Sequence, residues 1–336
     1  MALGGTPALP AADRGASANP LVEENEKRKR PMSLKRSSKI RLVTALMVCL
    51  LPYIGCGSDR SGASRSGGAT TIQNKGSDTM VNVAQAWAEE YRTVNRKVNV
   101  EVSGGGSGVG IAALIRGTID IANASREIKE EEIRQARRNT GQEVKAFIAG
   151  YDALAVYVNR ANPLDEIAIE QLAGIFVEDG HITRWSQLGV RIPGVRDDTI
   201  VRVSRQSSSG TYDFFREKVL DKRDFELGSR DMNGSKEVVE LVGNALTAIG
   251  YSGMGYANSG VKMLRIVEKA GQPGVAPTAE TTLNKTYPIA RSLNLYVLGD
   301  PKGAVKEYID WILSDAGQQI VEASGYVPLS LRKRQR

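Results

Sequence analysis

The residue types that could bind an anion are concentrated in the stretch 203–215. A β-prone segment, 198–203, precedes a turn rich in hydroxyl groups, and a helical pattern of apolar residues follows. The first N–H groups of a helix lack intrahelical partners and carry partial positive charge, so an anion is favoured at that end. This stretch therefore predicts one part of an oxyanion-binding site.

Four residues of the turn have suitable chemistry. Ser209 and Thr211 can donate hydrogen bonds from their hydroxyls, Gly210 lets the backbone approach a ligand closely, and Arg205 can offer a bidentate guanidinium. An ordinary helix N-cap beside a solvated arginine would have the same local pattern. The binding hypothesis gains weight because two upstream segments repeat the design.

The first upstream segment begins with a short strand, 71–75. A polar turn with Ser77, Asp78 and Thr79 follows, and then a helix whose apolar residues recur at spacings of three and four. This is a second strand, polar turn and helix in sequence.

The second upstream segment is rich in glycine. A strand at 97–102 leads through 103–110, which contains Ser107, into an apolar helix. The glycines fit neither a Gly-x-Gly-x-x-Gly register nor a P-loop, so nucleotide binding is not indicated. A flexible linker is the alternative. Another short strand, 117–122, ends near Arg126, whose guanidinium could point to the same place.

The remaining chemistry is limited by composition. The chain has one histidine, His181, in a turn-like segment that predicts a surface position. Removal of the N-terminal leader would leave only Cys56, which excludes disulfides, Cys/His zinc sites and thiol catalysis from the body. A secreted hydrolase using Ser107 or Ser209 as nucleophile is the rival hypothesis, but it needs a base within reach. We therefore expect no catalysis, no cofactor and no metal.

The net charge of +7 is concentrated at the N-terminus. Residues 1–56 carry nine Lys/Arg against four Asp/Glu, which leaves 36 Lys/Arg and 34 Asp/Glu for the rest of the chain. The body is nearly neutral, so a nucleic-acid backbone is not an expected partner.

The basic N-terminus has the pattern of a secretory leader. Residues 32–55 combine a charged start, a short apolar run and a small residue before Cys56, where the end resembles a bacterial lipobox. We interpret 1–31 as an extension upstream of the start at Met32, Cys56 as the lipidated mature N-terminus, and 56–71 as a Gly/Ser-rich tether. An uncleaved anchor is the alternative.

The rest of the body alternates strands and helices. An apolar strand at 153–159, a helix around 169–175, a strand at 248–256, a strand at 287–297 and a helix from 303 to 322 are predicted. With 336 residues and 41% hydrophobic content, this order indicates an α/β fold with substantial cores.

Several motifs, in this order and spacing, resemble the periplasmic phosphate-binding proteins of bacterial ABC phosphate importers. The resemblance extends from about Ile72 to Leu331. The motifs are Gly76-Ser77-Asp78-Thr79, Gly106-Ser107-Gly108, Asp120-Ile121-Ala122-Asn123-Ala124-Ser125-Arg126, Arg205-Gln206-Ser207-Ser208-Ser209-Gly210-Thr211, Ala248-Ile249-Gly250-Tyr251, Tyr287-Pro288-Ile289-Ala290-Arg291 and Gly325-Tyr326-Val327-Pro328-Leu329.

The resemblance implies a two-lobed periplasmic-binding-protein fold of type II, with a mixed sheet flanked by helices in each lobe and the ligand in the cleft between them. Lobe 1 would comprise 72–150 and 255–331, lobe 2 would comprise 151–254, and a basic tail would follow at 332–336. The hinge would lie near Gly150-Tyr151 and Tyr251-Ser252.

The same resemblance implies the function and the ligands. A lipid-anchored monomer in the periplasm or on the outer face of the membrane would bind inorganic phosphate and deliver it to the permease. The residues implied to hold phosphate are Thr79, the backbone N–H of Met80, Ser107, Arg205, Ser209, Gly210 and Thr211, with Ser77 as a further candidate.

One position departs from the family pattern. Well-known members have an aspartate where this chain has Arg126, and that carboxylate accepts the phosphate proton that sulfate lacks. An arginine cannot accept a hydrogen bond, so we hypothesise that Asp78 takes this role, unless it is only a helix N-cap. Arg126 would then be a second cation at the site. Carriers of sulfate, molybdate or tungstate are the alternative, and a phosphate sensor is a third.

Overall fold

The computed structural model describes residues 69–329 and 331. The predicted extension 1–31, signal peptide 32–55, lipidation at Cys56 and basic tail 332–336 lie outside the described residues, as does most of the tether. The first strand begins at Thr70, inside the end predicted for the tether. Among the described residues, no helix has the length and apolar character needed to cross a membrane.

The order of elements is that of an α/β protein. The strands in the described part of the chain are β1 (Thr70–Gly76), β2 (Val98–Ser103), β3 (Ile121–Ala124), β4 (Val144–Asn159), β5 (Glu166–Ala168), β6 (Val201–Arg205), β7 (Arg230–Met232), β8 (Ala248–Gly253), β9 (Val261–Met263), β10 (Arg265–Val267) and β11 (Ala290–Leu298). The helices there are α1 (Val81–Val94), α2 (Ser107–Ile115), α3 (Glu130–Thr140), α4 (Ile169–Phe176), α5 (Gly210–Lys218), α6 (Ser235–Asn244), α7 (Ala279–Leu283), α8 (Gly303–Leu313) and α9 (Asp315–Ala323).

The sheet divides into two halves that share the long strand β4. The strand order is β2-β1-β3-β11-β4-β8-β6-β7, with β9 also paired to β4. Residues 144–153 of β4 pair with β11, whereas residues 154–158 pair with β8. Parallel pairs (β1 with β2 and β3, β6 with β7 and β8) flank these antiparallel strands. The predicted two-lobed α/β fold with a mixed sheet in each lobe is confirmed.

Each half of the sheet has its own apolar core. In the first, Trp87, Tyr91 and Tyr308 from α1 and α8 pack on the sheet. In the second, Phe215 of α5 stacks on Tyr251 of β8 with ring centroids 3.9 Å apart. Full burial of a large apolar side chain contributes roughly 1.5–3 kcal/mol, so these clusters hold the helices and their N-termini against the strands.

The segment 261–289 packs with the second half of the sheet. Strand β9 pairs with residues 157–159 of β4, and Leu264, Ile266 and Tyr287 belong to the same core as α4 and α5. This packing favours a crossing back to the first lobe near residue 290, where β11 begins, rather than near 255 as the resemblance implied.

The predicted strand at 117–122 begins later than expected. Gly117 has a positive φ of 66°, its N–H donates to the Leu114 carbonyl, and the Thr118 N–H donates to the Ala113 carbonyl. These bonds close the C-terminus of α2 in the way glycine favours. Strand β3 therefore starts only at Ile121.

The predicted single helix from 303 to 322 was wrong, because the structure has two helices there. Ser314 separates α8 from α9 with an extended backbone, φ −74° and ψ 169°. Its hydroxyl donates to the Trp311 carbonyl at 2.6 Å and so satisfies one of the free carbonyls at the end of α8. The break brings the Gly317 carbonyl to the Trp87 indole N–H at 2.8 Å.

Candidate anion-binding site

Three helix N-termini lie beside one another, each at the end of a strand. Helix α1 follows β1 through the turn 77–80, α2 follows β2 through the glycine loop 104–106, and α5 follows β6 through the turn 206–209. The three predicted strand, turn and helix junctions are confirmed as secondary structure. Strands end at the same edge in each half of the sheet, so the polar turns meet between the lobes.

A cluster of buried hydroxyls joins these turns. Ser77 donates to the Ser125 hydroxyl at 2.9 Å, and the Ser107 and Ser125 hydroxyls lie 3.4 Å apart. Across the lobes, the hydroxyls of Thr79 and Thr211 are 2.8 Å apart. All five side chains belong to residues that are at most 2% exposed. Because a hydroxyl can rotate and both donate and accept, this cluster can redirect several donors to one anion.

Helix α5 presents its N-terminus to this cluster. Ser209 is the N-cap and its hydroxyl accepts from the Thr211 N–H at 3.2 Å. A Cβ at Gly210 would overlap the hydroxyl of Ser107. Glycine is thus required for the close approach of α5 to the first lobe.

Arg205 is fully buried and its guanidinium is held by four partners. It donates to the Met232 carbonyl at 3.3 Å, the Ser235 hydroxyl at 3.0 Å and the Asn233 carbonyl at 3.0 Å, and it forms an ion pair with Asp78 at 3.1 Å. Burial lowers the pKa of Arg205, and the charge of Asp78 opposes that shift. The ion pair connects the second lobe to the first.

Asp78 does not cap α1, because the N-cap of that helix is Met80 and no side chain makes a capping hydrogen bond there. Besides the ion pair, its Oδ1 accepts from the Gly105 N–H at 2.8 Å, so the carboxylate ties the first turn to the glycine loop. Each carboxylate oxygen has two lone pairs and accepts one hydrogen bond here, so each can accept one more.

Met80, whose backbone N–H the resemblance implied as a phosphate ligand, ends the turn before α1. Its backbone N–H donates to the Ser77 carbonyl at 3.0 Å, and its side chain lies in the core of the first lobe. The N–H is engaged within the turn that carries Ser77 and Thr79.

Arg126 does not join the hydroxyl cluster through its side chain. Its guanidinium makes two hydrogen bonds to Glu132, both at 2.8 Å, and one to the Glu127 carbonyl. Its Nε lies 2.9 Å from Oδ2 of Asp213 without the alignment of a hydrogen bond. Burial disfavours the charged form, but the hydrogen bond to Glu132 and the charges of Glu132 and Asp213 outweigh it and raise the pKa of Arg126. The expectation that this guanidinium points to the site is corrected: it spans from α3 to α5.

The structure adds three residues that sequence reasoning had not assigned to the site. Ser125 lies at the centre of the hydroxyl cluster, and a buried pair, Asp152 and Arg291, lies beside it. Ser125 and Arg291 both occur in motifs that carry the resemblance, so their position there was the available signal. Asp152 lies within an apolar strand and its partner is 139 residues away in the chain, so no local pattern could pair them.

The two lobes touch at the glycine loop. The Gly108 N–H donates to the Ser208 carbonyl at 2.9 Å, and the Ser208 hydroxyl donates to the Gly105 carbonyl at 3.0 Å. Gly106 has a φ of 100°, and a Cβ there would overlap the Ser208 carbonyl. The lobes are therefore closed over the hydroxyl cluster.

Neither His181 nor Trp185 enters the site. His181, which the sequence predicted at the surface, is exposed in the loop after α4. Trp185 is fully buried in the core of the second lobe, with its indole N–H donating to the Thr247 carbonyl at 2.9 Å.

Comparison with known proteins agrees with this architecture. A profile of the PBP superfamily domain matches residues 61–316. A phosphate-binding protein PstS of Pseudomonas aeruginosa is 32% identical over 274 residues, covering 79% of this chain and 84% of that protein. The chain belongs to the PBP superfamily and its PstS-like family.

Two solved structures are similar across their whole length. One is a candidate phosphate ABC transporter substrate-binding protein from Clostridium perfringens with bound phosphate, 30% identical, with a TM-score of 0.67 over 77% of this chain and 100% of that one. The other is an ABC-type phosphate transport receptor from Vibrio cholerae, 28% identical, with a TM-score of 0.61 over 76% of this chain and 99% of that one.

Proposed function

We propose that this member of the PstS-like family binds inorganic phosphate outside the cytoplasm and delivers it to an ABC permease, without catalysis. The observation that carries the proposal is the buried meeting of three helix N-termini with five hydroxyls and the guanidinium of Arg205. Such an arrangement favours a tetrahedral oxyanion, because the helix N-termini, the hydroxyls and the guanidinium can all donate hydrogen bonds to it. The phosphate-binding names of the relatives support phosphate as that anion.

The ligands we propose are Thr79, Ser107, Arg205 and Thr211 through their side chains, with Ser77, Ser209 and the backbone at Gly210. The N–H of Met80 would need to leave the Ser77 carbonyl to take part. Arg126 is excluded from direct contact in this proposal, because Glu132 and Asp213 hold its guanidinium.

Asp78 is the acceptor that we propose for the phosphate proton. It lies in the first turn, paired with Arg205 and within reach of the glycine loop. Asp78→Ala should therefore weaken phosphate binding and relax the rejection of sulfate. Unchanged phosphate affinity together with unchanged sulfate rejection in this variant would remove Asp78 from the role.

A non-catalytic role is supported by the surroundings of the serines. The Ser209 hydroxyl accepts from the Thr211 N–H, and the Ser107 hydroxyl accepts from the Ser125 N–H. His181 lies exposed elsewhere, so neither serine has an imidazole beside it in the described part of the chain. We further propose that a lipid at Cys56 anchors the protein and that it acts as a monomer.

The test is calorimetric titration of residues 57–336 with phosphate and then with sulfate, each at pH 6 and pH 8. Tight phosphate binding that sulfate does not compete with is the expected result. Equal or stronger binding of sulfate would refute phosphate specificity and favour a carrier of fully ionised oxyanions. A parallel assay with a generic phosphomonoester should release no product.

A further inference from the structure

A buried ion pair beside the hydroxyl cluster has no role in the site proposed so far. Arg291 at the start of β11 and Asp152 in β4 occupy facing positions of paired strands. Their side chains are 1% and 0% exposed. The Arg291 Nε and Nη2 both donate to Oδ2 of Asp152, at 2.9 and 2.7 Å, while Oδ1 accepts from the Met254 N–H at 2.9 Å.

The other edge of the Arg291 guanidinium faces the hydroxyls. Nη1 donates to the Thr211 hydroxyl at 3.0 Å and to the Ser125 carbonyl at 3.2 Å, and Nη2 lies 3.5 Å from the Thr79 hydroxyl. The guanidinium therefore contacts one threonine from each lobe. It also lies over the ring of Phe214, 5.6 Å from its centroid, which restricts its movement.

The three arginines near the site differ in what they can offer to an anion. The Arg205 guanidinium donates to two backbone carbonyls, to the Ser235 hydroxyl and to the Asp78 carboxylate. Arg126 is bound to carboxylates. Only Arg291, of these three, has both Nη atoms in contact with hydroxyls that can rotate and exchange partners.

We propose that Arg291 is a direct ligand of the bound oxyanion and that Asp152 is the positioning residue that holds its guanidinium in place. This inference rests on the proposed function. In the bound state the Nη1 and Nη2 edge would donate to the anion beside Thr79 and Thr211, giving the geometric match that a forked guanidinium has for a tetrahedral oxyanion. The carboxylate behind it limits the net positive charge of the site and so tempers the attraction for doubly charged sulfate.

The buried carboxylate of Asp152 depends on its pairing with Arg291. Burial raises the pKa of its carboxyl, while the charge and hydrogen bonds of Arg291 and the Met254 N–H oppose that rise. A carboxylate kept in such a place costs desolvation unless its partner stays paired with it. The pair thereby fixes the guanidinium between the start of β11 and β4, the strand that both halves of the sheet share.

The experiment compares Arg291→Lys and Asp152→Asn with wild type by calorimetric titration at pH 6, using phosphate and sulfate. Arg291→Lys keeps the charge but loses the fork, and should weaken phosphate binding about 10- to 100-fold. Asp152→Asn adds net positive charge and should shift the ratio of phosphate to sulfate affinity several-fold toward sulfate. A purely structural role would lower both affinities and leave that ratio unchanged.

The matched controls are Arg184→Lys, an exposed arginine paired with Asp198, and Asp165→Asn, an exposed carboxylate paired with Lys262. Both should bind phosphate as wild type does. If wild type binds no phosphate, the proposed function fails. If wild type binds and Arg291→Lys binds equally well, with the ratio unchanged in Asp152→Asn, the inference about Arg291 fails.

A crystal structure of the wild type with phosphate gives a second measurement that needs no variant to fold. The expected distance from an Arg291 Nη atom to a phosphate oxygen is about 2.7–2.9 Å. A separation beyond hydrogen-bonding distance would overturn the proposal.

Discussion

The contact between Arg126 and Asp213 predicts that closure of the lobes can be weakened without touching the anion site. Arg126 precedes α3 in the first lobe, and Asp213 is in the first turn of α5 in the second. Their side chains are 6% and 25% exposed, and Lys129 adds a more exposed contact to Asp213 at 3.3 Å. An open form would separate these groups, so the pair stabilises the closed form alone.

Asp213→Asn is the variant that removes this interlobe contact. Arg126 would keep both hydrogen bonds to Glu132, so no buried charge is left alone. The free energy that favours the closed form should then fall by about 1 kcal/mol, the upper end for partly exposed ion pairs. This corresponds to about a fivefold rise in the apparent Kd for phosphate. The ratio of phosphate to sulfate affinity should not change, because no proposed ligand is altered.

Calorimetric titration at low salt and at 1 M NaCl measures this effect. The Debye length at 1 M is about 3 Å, so the difference between variant and wild type should shrink at high salt. The matched control is Asp224→Asn, which removes a contact to Arg216 within the second lobe. The interlobe role would be refuted if Asp213→Asn bound phosphate as tightly as wild type at low salt. It would also be refuted if Asp224→Asn lost as much phosphate affinity as Asp213→Asn.

Three further predictions concern single residues. Arg205→Lys should lower the phosphate affinity at least about 100-fold and should also lower the melting temperature, because a point charge cannot replace a fully buried guanidinium with four partners. Calorimetric titration and thermal unfolding measure the two effects. A phosphate affinity within tenfold of wild type would contradict this prediction. Gly106→Ala should disfavour closure of the lobes, because residue 106 has a φ of 100° and an added Cβ would overlap the Ser208 carbonyl. Small-angle scattering with phosphate should then show a larger radius of gyration for the variant than for wild type. Equal radii would argue against this prediction. Burial tends to raise the pKa of Glu132, but bonds from Arg126 and the Lys129 N–H lower it below 4.5, so the stabilisation is present above pH 4.5 and is lost as the pH falls through the lowered value. The difference in free energy of unfolding between wild type and Glu132→Gln should accordingly narrow in acid, and a difference constant from pH 7 to pH 3 would exclude this linkage.

Local patterns were sufficient for the junctions that build the site. Alternation in 97–102 and the helical spacing after Thr79 each follow from one element being buried on one face, and β2 and α1 have those limits to within a few residues. The same patterns place Thr79, Ser107 and Thr211 next to helix N-termini, where an anion is favoured.

Local patterns failed where contacts with distant parts of the chain determined the path of the backbone. The helical periodicity from 303 to 322 continues across Ser314, yet the chain breaks there and Gly317 meets Trp87 of α1. The apolar residues of 261–289 show no preference for either lobe in the sequence, and only their packing against α4 and α5 assigns them.

The sequence by itself determined the α/β order of elements, the three polar turns at helix N-termini and the near-neutral charge of the body, because each depends on neighbouring residues. The tertiary structure alone decided which charges meet: Arg126 with Glu132 and Asp213, and Arg291 with Asp152. A buried arginine is costly unless a carboxylate or another acceptor pairs with it, and the fold can bring that partner from any distance along the chain.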